Sequence, residues 1–211
     1  DRLRSRGLGD VYKRQPEGEQ EIFSLDEMIK IWDPARISKS PAIFDPLKLR
    51  AINAAYIRAL PAEEFRKLAD PFIDQAVHVQ IDRDLLCANL QPRCEVLEDI
   101  PPQLDFFDAV LPIDAEMYRN KKQKTTPESA KEALSALLPV LEAQTDWSRD
   151  AIFEACKQKA EAMEKKNGWL LFPLGIALSG KARTPGGGTD LAAMMGKEET
   201  LRRLNAAIEA L

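Results

Sequence analysis

The sequence predicts an all-α fold made of two packed helical subdomains. From residue 21 onward, apolar residues recur at intervals of three and four, which places them on one face of a helix. No segment shows a convincing alternation of apolar and polar residues, and no internal repeat is visible, so strands are not expected. Prolines at positions 101, 102 and 112 interrupt the chain and place the predicted boundary at residue 112. The predicted subdomains are residues 16–112 and 113–211.

Local start signals predict the helices of the first subdomain. Ser24 and Glu27 form a capping box, which opens a short helix that reaches about Trp32. Asp45 is followed by Pro46 at the first helical position and begins a second helix. Further helices are predicted to begin at Pro61 and Pro71, and one more to cover residues 82–90.

Similar signals predict the helices of the second subdomain. Thr126 and Ser148 are the predicted N-caps of two helices, and Asn167-Gly168 is the predicted stop of the second one. Residues 170–178 are too apolar for a surface helix, and we expect a buried helix that is kinked or starts near Pro173. A last helix follows Gly196. The inward-facing residues are predicted to be Ala130, Leu134, Leu137, Leu138, Leu141, Ile152, Cys156, Met163, Leu201, Leu204 and Ile208.

The composition suits a soluble protein and argues against several functional classes. The 211 residues are 45% hydrophobic and 30% charged, enough for one large core or two small ones. No stretch approaches the roughly 20 apolar residues that span a bilayer. The three cysteines lack metal-ligand spacing, which favours reduced thiols in a cytoplasmic protein. Since His78 is the single histidine, most zinc sites and catalytic triads lack their ligands or base.

Residues 1–15 are predicted to be a disordered sequencing-adapter or vector artefact, because they lack an initiator methionine and an amphipathic period. A disordered basic arm is the alternative. The segment carries five basic and two acidic residues, so the remaining chain has a formal charge of −7 instead of −4. An acidic domain repels a polyanion as a whole, and any nucleic-acid binding must therefore come from a local basic patch.

A series of motifs in a fixed order covers the chain from Glu21 to Leu211 and resembles the C-terminal part of bacterial glutamyl-tRNA synthetases, which are class I aminoacyl-tRNA synthetases. Ordered matches over most of a chain are far more specific than one short motif. The resemblance implies a helix-cage fold of the anticodon-binding type. The motifs are Phe23–Met28, Arg36–Asp45, Lys48–Asn53, Tyr56–Arg58, Gln91–Val96, Met117–Thr125, Gly168–Lys181, Thr184–Gly188 and Gly196–Leu204.

The resemblance also implies which residues contact the anticodon. The arginine that matches Arg93 contacts the third anticodon base in this family, and its rigid fork of donors suits the acceptor edge of an unstacked cytosine. The alternative is a surface arginine that pairs with a neighbouring glutamate. Thr184 and Pro185 match the family's contact to the first base, in a glycine-rich loop that begins at Lys181. Gly175 departs from the family, where an arginine is usual, and this puts first-base recognition in doubt.

Four further lysines are candidate tRNA contacts. Lys39 lies in an Ile-Ser-Lys-Ser segment that resembles the ATP-binding loop of this enzyme class. The family's own loop lies upstream, so Lys39 is expected to be a surface lysine near the RNA stem. Lys121, Lys122 and Lys124 form a basic run that either contacts phosphates or is simply solvated.

By resemblance, the parent enzyme uses ATP and magnesium to activate glutamate and then transfers it to tRNA(Glu). This chain would supply anticodon and stem recognition as a cytoplasmic monomer that binds neither DNA nor membranes. We expect it to contain no catalytic residue, cofactor or metal site of its own and to be inactive alone. The alternatives are a helical protein-interaction scaffold without an RNA role and an intact free-standing module.

Overall fold

The computed structural model describes residue 23, residues 25–34 and residues 44–211. Contacts divide the chain into two compact units, one that ends at Tyr56 and one that runs from Ile57 to Leu211. Within the described ranges the chain forms α-helices and short 3-10 turns, with one isolated bridge between Asn120 and Thr125 and no strand. The predicted all-α class is confirmed. A separation into subdomains at residue 112 stays a prediction, as does the interpretation of residues 1–15, which lie outside the described ranges.

The first unit contains α1 (Leu25–Ile31) and the first part of α2 (Pro46–Ala59). The predicted start of α2 is confirmed, because the Asp45 carboxylate accepts hydrogen bonds from the amides of Leu47 at 3.0 Å and Lys48 at 3.2 Å. The Tyr56 hydroxyl donates to the carbonyl of Phe23 at 2.8 Å and so joins α2 to a residue two positions before α1. Ser24, half of the predicted capping box, lies outside the described residues.

The second unit holds the remaining helices. Four 3-10 turns between residues 91 and 118 separate the first two helices from the five that follow. The helices are α3 (Ala62–Ile73), α4 (Arg83–Leu90), α5 (Pro127–Ala143), α6 (Arg149–Ala162), α7 (Asn167–Ser179), α8 (Gly188–Met195) and α9 (Lys197–Ala210).

Helix α7 lies at the centre of the second unit and packs against α5, α6, α8 and α9. Its predicted burial is confirmed, because apolar side chains on all its sides are enclosed, including Trp169, Leu170, Leu174 and Leu178. A helix that is apolar all round is stable in water only when neighbours surround it. The position of α7 is therefore fixed by four other helices, which makes it a rigid support for the side chains along it.

A buried arginine joins α9 to two other segments. The Arg203 guanidinium is completely enclosed and donates to the carbonyls of Phe106, Phe107 and Leu178, each at 2.7 Å. It also donates to the carboxylate of Glu199 at 2.5 Å. A buried charge is tolerated only when it is paired and its donors are satisfied, and both conditions hold here. Arg203 thereby fixes the end of α7 relative to residues 106–107 and α9.

Two predicted helix boundaries were wrong, at Pro71 and at Asn167-Gly168. Pro71 does not begin a helix but lies near the end of α3. Pro173 lies inside α7, so the helix does not start there, and the predicted alternative of a kink at Pro173 stays a prediction. Each proline costs one hydrogen bond, about 3 kcal/mol in a helix interior, and burial of the flanking apolar residues outweighs that cost. Asn167 and Gly168 begin α7 instead of ending α6, which closes earlier at Glu164 with a left-handed φ of 55°. Helix α8 was not predicted at all.

Candidate nucleic-acid interface

An open groove in the second unit brings Arg93 together with the glycine-rich loop. Arg93 ends the 3-10 turn that follows α4, and the turn is anchored by Gln91, whose side-chain amide donates to the carbonyls of Ile57 at 3.0 Å and Leu60 at 2.8 Å. The groove encloses about 630 Å³. It is lined by Arg93, Gln103, Leu171, Phe172, Gly175, Ile176, Lys181, Ala182, Arg183, Thr184, Gly186, Gly187 and Gly188.

Arg93 is exposed and contacts the loop through two weak hydrogen bonds. Its Nη1 atom donates to the carbonyl of Thr184 at 3.4 Å and to that of Pro185 at 3.3 Å. Both distances lie beyond the usual range for N–H···O bonds. The structure thus brings three predicted residues to one place, with the guanidinium loosely held where a better acceptor could replace the two carbonyls.

The loop from 181 to 188 is shaped by hydrogen bonds and by close packing. The Thr184 hydroxyl donates to the carbonyl of Gly186 at 2.6 Å, and the Gly187 amide donates to the Asp190 carboxylate at 2.7 Å. A Cβ atom at Gly188 would lie 2.8 Å from the carbonyl oxygen of Leu171 and 2.9 Å from the nitrogen of Gly175. Only glycine allows α8 to start this close to α7, which fixes one wall of the groove.

A model of the anticodon binding domain family matches residues 53–208, which is more than half of the chain and includes the whole groove. The chain belongs to the anticodon-binding domain family. It is 42% identical over 196 residues to glutamate–tRNA ligases of Clostridium botulinum, and 42% identical over 197 residues to that of Clostridium acetobutylicum. These matches cover 93% of the chain but only 40% and 41% of those relatives' own lengths.

Solved structures give the same result for the fold of this anticodon-binding domain. A glutamate tRNA ligase from Elizabethkingia meningosepticum, crystallised in complex with its amino acid, superimposes with a TM-score of 0.76 at 25% identity. The match covers 97% of this chain and 42% of that one. A glutamate-tRNA synthetase from Elizabethkingia anophelis gives a TM-score of 0.73 at 25% identity over 96% of this chain and 41% of its own. The helical fold predicted by resemblance is confirmed.

Lys181 stands at the edge of the groove with its ammonium group already engaged. The Nζ atom donates to the carbonyl of Pro102 at 2.8 Å and pairs with the carboxylate of Asp105. Its side chain is 22% exposed. In this domain Lys181 therefore ties the loop to residues 102–105, and a contact between Lys181 and RNA stays a prediction.

Gly175 faces the start of α8 across the groove. A Cβ atom there would lie 3.7 Å from the nitrogen and 3.8 Å from the Cα atom of Gly188, which is ordinary van der Waals contact. The backbone therefore does not require glycine at this position. Alanine is therefore sterically tolerated at position 175.

The remaining predicted lysines do not line the groove, and one of them lies outside the described residues. Lys121, Lys122 and Lys124 are exposed on the tight turn closed by the bridge between Asn120 and Thr125. Lys39 lies outside the described residues. Arg183 and Phe172 line the groove without having been predicted. Arg183 could have been found as the arginine inside the glycine-rich loop, whereas no sequence signal separates Phe172 from the buried residues around it.

Metal-ligand clusters and thiols are the other candidate reactive groups among the described residues. They contain no group of three or more histidine, cysteine, aspartate or glutamate side chains that could hold a metal ion. Cys87 and Cys156 are buried, and burial raises their thiol pKa values to about 11 and about 12, so neither is a reactive thiolate at neutral pH. No helix in this part of the chain is long and apolar enough to cross a membrane.

Proposed function

We propose that this chain is the tRNA-recognition part of a glutamate–tRNA ligase and that it binds the anticodon and stem of tRNA(Glu) as a cytoplasmic monomer. The main observation in support is the groove, in which Arg93 lies next to the glycine-rich loop and contacts the carbonyls of Thr184 and Pro185. The names of the 42%-identical relatives support the choice of tRNA(Glu). A protein-interaction scaffold without an RNA role is not favoured by the family match.

The groove offers complementary groups to an unstacked cytosine. The guanidinium of Arg93 carries donors for the ring nitrogen and carbonyl oxygen of that base, and its binding would free the carbonyls of Thr184 and Pro185 to accept hydrogen bonds from a neighbouring anticodon base. Base binding would replace bonds of 3.3 and 3.4 Å by shorter, charge-assisted ones. Because the wrong base would leave these groups unpaired, the arrangement supports discrimination as well as affinity.

Catalysis is proposed to reside in the part of the relatives that this chain does not match. The parent enzyme would use ATP and magnesium to attach glutamate to tRNA(Glu). ATP and magnesium are therefore proposed as cofactors of the part of the enzyme that this chain does not match. The purified chain is expected to support no glutamate-dependent exchange of pyrophosphate into ATP above a buffer control, and measurable exchange would contradict this assignment.

The proposal is tested by the binding of the purified chain to a tRNA(Glu) transcript and to a transcript with an unrelated anticodon, at several salt concentrations. We expect preference for the tRNA(Glu) anticodon and an affinity that falls with salt, because phosphate contacts release counterions. Equal affinity for both transcripts would show that the chain does not recognise the anticodon. Absence of binding, or binding that does not depend on salt, would favour the scaffold.

A further inference from the structure

We propose a phosphate-binding surface, the lysine patch, formed by Lys121, Lys122, Lys124, Lys165 and Lys166 next to the groove. It is inferred to bind the backbone of the RNA strand whose bases enter the groove, and this inference rests on the proposed function. The five lysines come from two separate segments and are all exposed. The structure brings those segments together at the start of α7.

The contact that joins the two segments is between Gln123 and Gly168. The Gln123 side chain lies so close to Gly168 that a Cβ atom added there would be 1.9 Å from its Oε1 atom. Gln123 lies within the first lysine segment, and Gly168 lies two residues after Lys166, the end of the second segment. The sequence alone shows only a run of three lysines and a distant pair, whereas the fold makes them neighbours.

The turn that carries the first three lysines is rigid. The Asn120 and Thr125 backbones exchange two hydrogen bonds of 3.1 Å, and the Gln123 amide donates to the Asn120 side chain at 3.1 Å. The buried Thr125 hydroxyl donates to the carbonyl of Tyr118 at 2.7 Å. A surface that is already ordered loses less conformational entropy on binding than a flexible lysine tail.

Strained backbone marks both segments. In the described part of the chain, Lys124 and Glu164 are the two residues other than glycine with a positive φ, at 56° and 55°. Such conformations cost free energy and persist only where the surrounding structure enforces them, often at functional sites. One strained residue lies in the lysine turn, and the other turns the chain directly into Lys165 and Lys166.

The second lysine pair is held at the beginning of α7, which leads to the groove. The Lys165 amide donates to the carbonyl of Ala160 at 2.9 Å, and its ammonium lies 5.1 Å from the centre of the Trp169 ring. From Asn167 to the groove residue Leu171, the helix rises about 6 Å. The groove therefore begins about one helical turn from the lysine pair, near enough for one RNA strand to reach both.

The lysines of the patch outnumber the acidic groups around them. Glu161 and Glu164 are exposed beside the lysine pair, Glu128 is exposed after the lysine turn, and Glu116 is paired with Arg119 at 2.7 Å. Since the chain as a whole is acidic, a polyanion must approach through a local positive field, and the five lysines supply one. Lysine suits a phosphate contact because its ammonium is a point charge that needs no planar partner.

The test compares two double variants with the same change in charge. Lys165→Gln with Lys166→Gln removes two patch charges, and Lys67→Gln with Lys131→Gln removes two exposed charges on α3 and α5. Binding of the tRNA(Glu) transcript is measured over a range of KCl concentrations. In the patch variant we expect the slope of log affinity against log salt to decrease in size by about 1.4, or about 0.7 for each lost contact. The control variant should keep the parent slope.

The outcomes separate this inference from the proposed function. If the parent chain discriminates between anticodons but the patch and control variants have the same slope, the lysine patch is only a solvated surface and the inference is overturned. If the parent shows no anticodon preference but binds a short oligouridylate with a slope that only the patch variant reduces, the patch stands and the proposed function fails. Circular dichroism of each variant checks that the fold is retained, and Lys166→Gln alone replaces the double variant if it is not.

Discussion

Replacement of Arg93 by Gln is the most direct perturbation of the groove. The side chain is exposed, and its two contacts with the loop are long, at 3.4 and 3.3 Å. We therefore expect the free energy of unfolding to change by no more than about 0.5 kcal/mol, as for most surface substitutions. Binding should respond more strongly, because a good bidentate contact contributes about 1–3 kcal/mol of discrimination between bases. The substitution should thus narrow the preference for cytosine over guanine at the third anticodon position by that amount.

The assay uses two transcripts that differ only at the third anticodon base, with dissociation constants measured at one fixed salt concentration. Arg93→Lys keeps the charge but loses the planar fork, so it should lose discrimination while it retains more of the overall affinity. Lys67→Gln is the control for loss of one exposed charge elsewhere. An equal loss for both transcripts would make Arg93 a general phosphate contact. If neither transcript loses affinity, Arg93 is an ordinary surface residue and its assignment to the third anticodon base is refuted.

Three further predictions concern stability and the remaining groove positions. Arg203→Met should lower the free energy of unfolding in urea by about 3–5 kcal/mol, because three carbonyls lose their buried donor; an effect below about 1 kcal/mol would contradict the role of Arg203. Hydrogen bonds from Arg202 and then Arg203 lower the pKa of Glu199 from 4.5 to about 2, so its stabilising effect should be present above pH 4.5 and be lost as the pH falls towards 2. Glu199→Gln should flatten the dependence of the free energy of unfolding on pH between 4.5 and 2. If the dependence is unchanged, Glu199 is not its cause. Gly188→Ala should destabilise the protein and Gly175→Ala should not, since only the former clashes with backbone; equal thermal shifts would be inconsistent with the packing described.

Helix starts were predictable from sequence where a side chain caps the backbone. Thr126 accepts from the Ser129 amide at 3.3 Å, Ser148 from the Ala151 amide at 3.4 Å, and these local contacts need no knowledge of the rest of the fold. The end of α6 was not predictable in this way, because the left-handed residue there is Glu164, not the glycine or asparagine that usually marks such an end.

Tertiary packing explains what the sequence could not indicate. Pro173 is normally a break signal, yet it lies inside α7 because the helix is enclosed on all sides. In the groove, too, the sequence indicated only part of the arrangement. The family resemblance identified Arg93 and Thr184, but not the ion pair between Lys181 and Asp105, because these two residues lie far apart in the chain. Pairings of that kind follow from the arrangement of helices and have no local signal.

The arrangement of the helices also explains how an acidic domain can hold an RNA surface. Gly188 allows α8 to meet α7 closely and forms one wall of the groove, while Gly168 admits the Gln123 side chain at the other end of the same helix. Both contacts place cationic segments along α7, with Arg93 near its middle and the lysine patch at its start. The Gln123 atoms nearest to Gly168 are the end of a flexible side chain, which can turn aside for a methyl group, so a bulky residue is needed at position 168 to displace the lysine turn. Gly168→Phe, measured with the tRNA(Glu) transcript over a range of salt, should therefore reduce the salt dependence in the same direction as loss of Lys165 and Lys166, whereas Gly168→Ala should not. A Gly168→Phe variant that folds and keeps the parent salt dependence would show that the two lysine segments bind, or fail to bind, independently.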